Sequence, residues 1–252
     1  MRNFILLYFI SINLAFSFSR KVENGGGSST SSSSSSSVAS TNVREKILNY
    51  VASSACYKKN WKDRGQIPLG FLQGMALTFY KNKGQAPRSL GSSDKDAFRH
   101  YGISDTSKAS EYAFLVGLSM RESSGRHCVG RDASANNTNS ETCETGAFQF
   151  SYNSRTADSS LLPLYGKYKA DKSGCELDLF AKNVTCSAAN WRNYGSGEGV
   201  IFQDLAKKCP VFATEYAAIL IRSLRRHFGP INRKEVEYSP VCVSMFKEIE
   251  KF

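Results

Sequence analysis

Six stretches of this chain repeat apolar residues at helical spacing, and none alternates with period two over more than a few residues. That pattern restricts the fold to a mainly α class with at most a small β element. "TNVREKILNYVASSA" sets Val43, Ile47, Leu48 and Val51 on one face behind an Asn/Thr cap. "PLGFLQGMALTFYKN" is the second stretch, and "TSKASEYAFLVGLSMRESSG" is the third, opening on Ser/Thr cap chemistry and closing on Gly125. "GVIFQDLAKKC" follows, then "PVFATEYAAILIRSLRRHFG" with Pro210 at its start and Gly229 at its end, and finally "SPVCVSMFKEIEKF". Residues 126–154 are polar and glycine-containing, which reads as loops or a short hairpin.

Ahead of these helices the chain has a different character. "MRNFILLYFISINLAFSFSRK" has one early positive charge, an apolar run from Phe4 to about Phe16 and then small residues. This is the layout of a secretory signal over residues 1–19, with a cut after Ser17 or Ser19. The run is shorter than the ~20 apolar residues a membrane span needs. Residues 20–41, which include "GGGSSTSSSSSSSVAS", have almost nothing to bury and read as a flexible linker. One domain is expected over residues 42–252.

Seven cysteines suit an exported chain, and no two form a C-x-x-C pair, which favours structural disulfides over a zinc ribbon. An odd count leaves one thiol over. Cys56 lies far along the chain from the other six and is the candidate for it; pairing of neighbours, Cys128–Cys143, Cys175–Cys186 and Cys209–Cys242, is one of fifteen possibilities. The three histidines, His100, His127 and His227, are scattered, so no metal-ligand spacing appears. "GSGEG" lacks the preceding strand and the following Lys-Ser/Thr of a phosphate loop. No cofactor is expected. A net charge of +11 favours polyanionic partners; export and disulfides point away from nucleic acid and towards an anionic bacterial envelope.

Glu122 is the unusual residue. Leu115, Leu118 and Ser119 precede it at seven, four and three residues, so it continues the apolar face of the third helix. Partial burial and the negative end of the helix dipole both favour its protonated form, as a general acid for glycoside cleavage requires. The competing reading is a solvated glutamate paired with Arg121 or Arg126.

The segment that follows, "RESSGRHCVGRDASANNTNSETCETGAFQFSYNS", resembles the lysozyme-like superfamily, especially soluble lytic transglycosylases and goose-type lysozymes. Those families set a catalytic glutamate at a helix end in an E-S-x-x pattern, followed downstream by G-L-M-Q. Here "ESSG" begins at Glu122 and "GAFQ" runs from Gly146 to Gln149, with Ala147 and Phe148 where Leu and Met are usual. The resemblance covers residues 110–155 well and the C-terminal helices loosely; the first hundred residues give it no support. It implies a lysozyme-like α+β fold, Glu122 as general acid/base, and Gly146 and Gln149 in a sugar-binding cleft. Ser151, Tyr152 and Asn153 of "FSYNS" suit a sugar rim. Glu141, five residues before Gly146 as in the goose-type pattern, or Asp132 would position a water. If neither reaches, the resemblance favours the transglycosylase route, in which the substrate's own 6-hydroxyl attacks. Tyr194 and Gly195 loosely match the families' A-Y-N-A-G segment.

The function expected is therefore cleavage of the β-1,4 glycan of peptidoglycan by a secreted monomer that inserts into no membrane. Asp132, Glu141 and Glu144 further predict a local acidic cluster that favours deacetylated, cationic glucosamine units. The rivals are a non-catalytic wall- or chitin-binding protein and a cationic antibacterial protein.

Overall fold

A computed structural model of the chain describes residues 34–85, 94–131, 136–225 and 229–252. The signal segment 1–19, the linker as far as residue 33, Asp132 and His227 lie outside the described residues. In chain order the helices are α1 (Ser34–Ser53), α2 (Ala55–Lys58), α3 (Leu69–Asn82), α4 (Ala97–Tyr101), α5 (Lys108–Ser123), α6 (Leu161–Ala170), α7 (Leu177–Ala181), α8 (Ala188–Trp191), α9 (Glu198–Lys208), α10 (Pro210–Ser223), α11 (Gly229–Asn232) and α12 (Pro240–Glu250). A 3-10 turn spans Tyr152–Thr156. The chain is mainly helical, and β structure among the described residues amounts to two isolated bridges, Trp61 to Gly65 and Thr145 to Phe150.

All six periodic stretches form helices, with differences at their ends. α1 reaches back to Ser34, into the stretch expected to be linker. α10 stops at Ser223, short of Gly229. There the backbone leaves the helix because Arg225 N–H donates to the carbonyl of Lys95 at 2.9 Å instead of continuing the ladder. α6 has no counterpart among the six stretches. Pro163 and Gly166 obscure its pattern, yet Leu161, Tyr165 and Tyr168 are buried at helical spacing, and a proline in the first turn costs a helix little.

α5 is the axis of the core. Ser107 caps it, accepting from Ser110 N–H at 3.2 Å, and every residue from Ala109 to Met120 is buried. It packs against α3, α10, α11 and α12. Gly117 sets its closest approach: a Cβ there would lie 2.2 Å from the carbonyl oxygen of Glu237. Burial on all sides also encloses Glu111 of α5, which faces Arg222 of α10 at 3.9 Å. Arg222 in turn donates to Asp96 at 2.8 Å, and Asp96 caps α4. Removing one member of such a buried set leaves an uncompensated charge inside the core.

Three disulfides, Cys56–Cys242, Cys128–Cys186 and Cys175–Cys209, tie this core together. Cys143 is the free cysteine and is buried, so the expectation that Cys56 is unpaired is corrected. Sequence remoteness misleads here because α12 packs back against α2, and closing a long loop costs only logarithmically more than closing a short one. None of the neighbour pairings forms.

Alkylation under native conditions is expected to label no cysteine, and alkylation after unfolding without reductant to label Cys143 alone; label on Cys56 in peptide mass mapping would contradict the Cys56–Cys242 bridge. That bridge spans 186 residues, so the pair Cys56→Ala/Cys242→Ala is expected to lower stability by about 3–5 kcal/mol.

Candidate active site

The end of α5 is built by backbone geometry and by one serine. Ser124 and Gly125 are both left-handed, at φ of 56° and 69°. Their N–H groups return to Met120 O and Ser119 O, each at 3.1 Å, which closes the helix in a Schellman-type turn. Ser123 faces inward, its Oγ 2.9 Å from the carbonyl oxygens of both Ser119 and Ala147. The second contact joins "ESSG" to "GAFQ". In that partner segment Thr145 N–H donates to Phe150 O at 3.2 Å, and residues 146–149 form the turn between them, with Gly146 and Gln149 both at positive φ. The two halves of the sequence pattern are adjacent in space.

Glu122 sits one residue before this junction, half-buried at the rim of the core, and its carboxyl makes no hydrogen bond or ion pair with a described residue. Both arginines that might have paired with it are engaged elsewhere. Arg121 donates twice to Glu235 Oε2, at 3.1 and 2.8 Å, and Arg126 Nε donates to Ser123 O at 3.1 Å. Arg233 grips the same Glu235 at 2.7 Å. Arg233 first and Arg121 second hold Glu235 at a pKa of about 2. Burial, and then the neighbouring Glu144, push Glu122 from 4.5 up to about 8, against an opposing pull from Arg233, Arg121 and Arg64. The reading of Glu122 as an ion-paired surface residue does not hold.

The remaining site residues fall into two groups. Glu144 is the carboxylate that acts on Glu122. Glu141 instead accepts from Arg155 at 2.9 Å, and Asp132 lies outside the described residues. The acidic cluster expected around Glu122 therefore reduces, among the described residues, to Glu144, whose effect on Glu122 is opposed by Arg233, Arg121 and Arg64. Gly146 permits a close approach, but the approach is made by α9: a Cβ on it would lie 3.1 Å from Ala206 O. Gln149 spends both amide hydrogens inside the turn, on Gly146 O at 2.8 Å and Gly130 O at 3.3 Å. Ser151 Oγ donates to Asn153 Oδ1 at 2.7 Å, and Asn153 N–H donates to Glu141 O at 2.8 Å. Tyr152 is buried against Tyr165 and Phe202. These contacts make "FSYNS" an internal turn. Tyr194 is held by a two-way backbone grip from Gln203, at 2.9 and 3.0 Å. The guanidinium groups of Arg131 and Arg192 lie 4.6 and 5.2 Å from its ring centroid.

Sequence reasoning placed Glu144 in the acidic cluster near Glu122 but gave the second-carboxylate role to Glu141 or Asp132, and it missed Lys207 altogether. Lys207 is fully buried, and its Nζ donates to Asn190 O at 3.1 Å and Arg192 O at 2.9 Å, clamping the loop that carries Tyr194. Burial lowers its pKa to about 8. In "DLAKKC" the two lysines look alike; Lys208 takes the surface pair with Asp204 at 2.7 Å, and Lys207 points inward. His127 neighbours Cys128 and Cys186, but those sulfurs are bonded to each other and His127 Nδ1 lies 2.8 Å from Lys207 O.

A groove of about 410 Å³ runs beside the end of α5, bounded by Met120 and Arg121, the Trp61–Gly65 turn and residues 234–237. No family model, curated protein or solved structure matches the chain.

The raised pKa of Glu122 has a thermodynamic consequence. Between 4.5 and about 8 the folded chain keeps a proton that the unfolded chain has released, so stability falls as pH rises through that window. Glu122→Gln carries no such proton. In denaturant titrations it is expected to match wild type near pH 4 and to exceed it by ~1–3 kcal/mol near pH 8, allowing for partial exposure. Equal stabilities across that range would show that Glu122 titrates normally.

Proposed function

We propose that this chain is a secreted, lysozyme-like glycosidase that cleaves β-1,4 bonds in the glycan of peptidoglycan. The observation that supports the reading most is a half-buried, unpaired glutamate at a helix end, held beside the "GAFQ" turn through Ser123. Glu122 in its protonated form donates to the glycosidic oxygen as the bond to the anomeric carbon breaks. It then accepts a proton from the group that attacks that carbon, either a water or the sugar's own 6-hydroxyl. Burial first, and Glu144 second, keep the proton on Glu122 in the resting state, and Glu144 is the candidate to orient the attacking water.

Export agrees with the signal-like N-terminus and with three disulfides, which persist in oxidising compartments. No described helix is long and apolar enough to cross a membrane. Positive net charge would draw the protein to an anionic envelope, with the rate falling as salt rises.

Turbidity loss of purified peptidoglycan tests the reading. Wild type is expected to clear the suspension and Glu122→Gln to do so ~10²–10⁴-fold more slowly; equal clearing by both would end the catalytic proposal. Bacterial killing without solubilised muropeptides would favour a cationic antibacterial role. Because the acid must carry its proton, kcat/KM is expected to fall as pH rises through about 8. Mass spectrometry of the products separates hydrolysis from transglycosylation, since a 1,6-anhydro end lies one water lighter.

A further inference from the structure

The groove beside Glu122 is built for negative charge. Its carboxylates are already matched, apart from exposed Asp63 at the tip of the turn. Glu235 is gripped by Arg121 and Arg233. Glu237 accepts from Lys59 Nζ at 2.7 Å and from Lys62 N–H at 3.0 Å. Three lining cations are less fully engaged: the side chains of Lys62, Arg64 and Lys234 make no hydrogen bond or ion pair with a described residue, although Lys62 also acts on Glu237 at longer range.

The walls are fixed. The turn is closed by Trp61 N–H donating to Gly65 O at 2.9 Å, and Glu237 anchors it to the 234–237 segment. Trp61 is buried in the wall, and its Nε1 has no acceptor. Met120 and Arg121, which line the groove, immediately precede Glu122 on α5, so the groove and the candidate acid are neighbours.

We propose that this groove is a subsite for a carboxylate carried by the glycan, gripped by Lys62, Arg64 and Lys234 while the adjoining sugar lies against Glu122. The inference rests on the glycosidase reading for its ligand. A substrate with carboxylate-bearing substituents is oriented by the groove, whereas a neutral chito-oligomer of equal length has nothing to fill it.

Calorimetry on Glu122→Gln, which binds without turnover under that reading, tests the inference with three probes: a muropeptide oligomer with free stem carboxylates, the same oligomer with those carboxylates amidated, and a chito-oligosaccharide of equal length. The free-acid oligomer is expected to bind ~10-fold or more tightly than the other two, with an advantage that shrinks as salt rises. Adding Lys62→Gln and Lys234→Gln is expected to reduce its affinity to theirs. Both lysines are exposed, so circular dichroism and the unfolding temperature should barely move. Equal affinity for the three probes, no binding of any, or no effect of the lysine substitutions would overturn the subsite while leaving catalysis by Glu122 standing. Charge-dependent binding in a protein whose wild type releases no muropeptide would instead keep the subsite and remove the catalytic reading.

Discussion

Burial of α5 on every side is the constraint from which the rest of the structure follows. A helix with no solvent face must pass through the middle of the domain, and its neighbours have to approach it closely. Gly117 provides that approach on one side, where the carbonyl of Glu237 takes the space of a side chain. Glu111 on another side forces Arg222 and Asp96 into the interior as partners. Such a helix reaches water only at its ends, and its C-terminal end is where Glu122 emerges. The apolar environment that stabilises α5 also penalises the charge on Glu122, so packing and proton affinity have a common origin.

Around that end, charges are arranged by exclusion as much as by attraction. Glu235 occupies Arg121 and Arg233 together, and Ser123 O occupies Arg126. The arginines therefore remain near enough to moderate Glu122 without forming the contact that would hold it ionised. Glu144 acts in the opposite direction, from beside the Thr145–Phe150 turn. The result is a carboxyl that keeps its proton up to about pH 8, set among charges of both signs.

α9 and the Cys128–Cys186 bridge hold the loop that carries Tyr194. Lys207 and Gln203 reach from one helix to the backbone of residues 190–194, and Ala206 of the same helix supports Gly146. His127 closes the set by meeting Lys207 O. A loop with little regular structure is thus positioned by side chains of a helix, which are more precise supports than a loop could supply for itself.

Much of the architecture was legible in the sequence because helical periodicity is local: each of the six stretches carried its own evidence in spacing and caps. Glu122 was legible for the same reason, as the end of an apolar stripe, and the order of "ESSG" and "GAFQ" suggested a common site. What neighbours what across the fold was not legible. Cys56 looked solitary because only packing brings α12 back to α2. Glu141 had the expected spacing to Gly146, yet Arg155 holds it, and Glu144 acts on Glu122 instead. Gly146, Gln149 and Tyr152 had residue types suited to a sugar, and tertiary contacts engage them in the turn and the core. The sequence by itself determined the helices, the polarity of each face and the placing of a carboxyl at a buried helix end, because those depend on neighbours a few residues away. Tertiary structure decided the disulfide pairing, the partner of every charge and the identity of the second carboxylate, because those depend on distances between residues that the chain order leaves free.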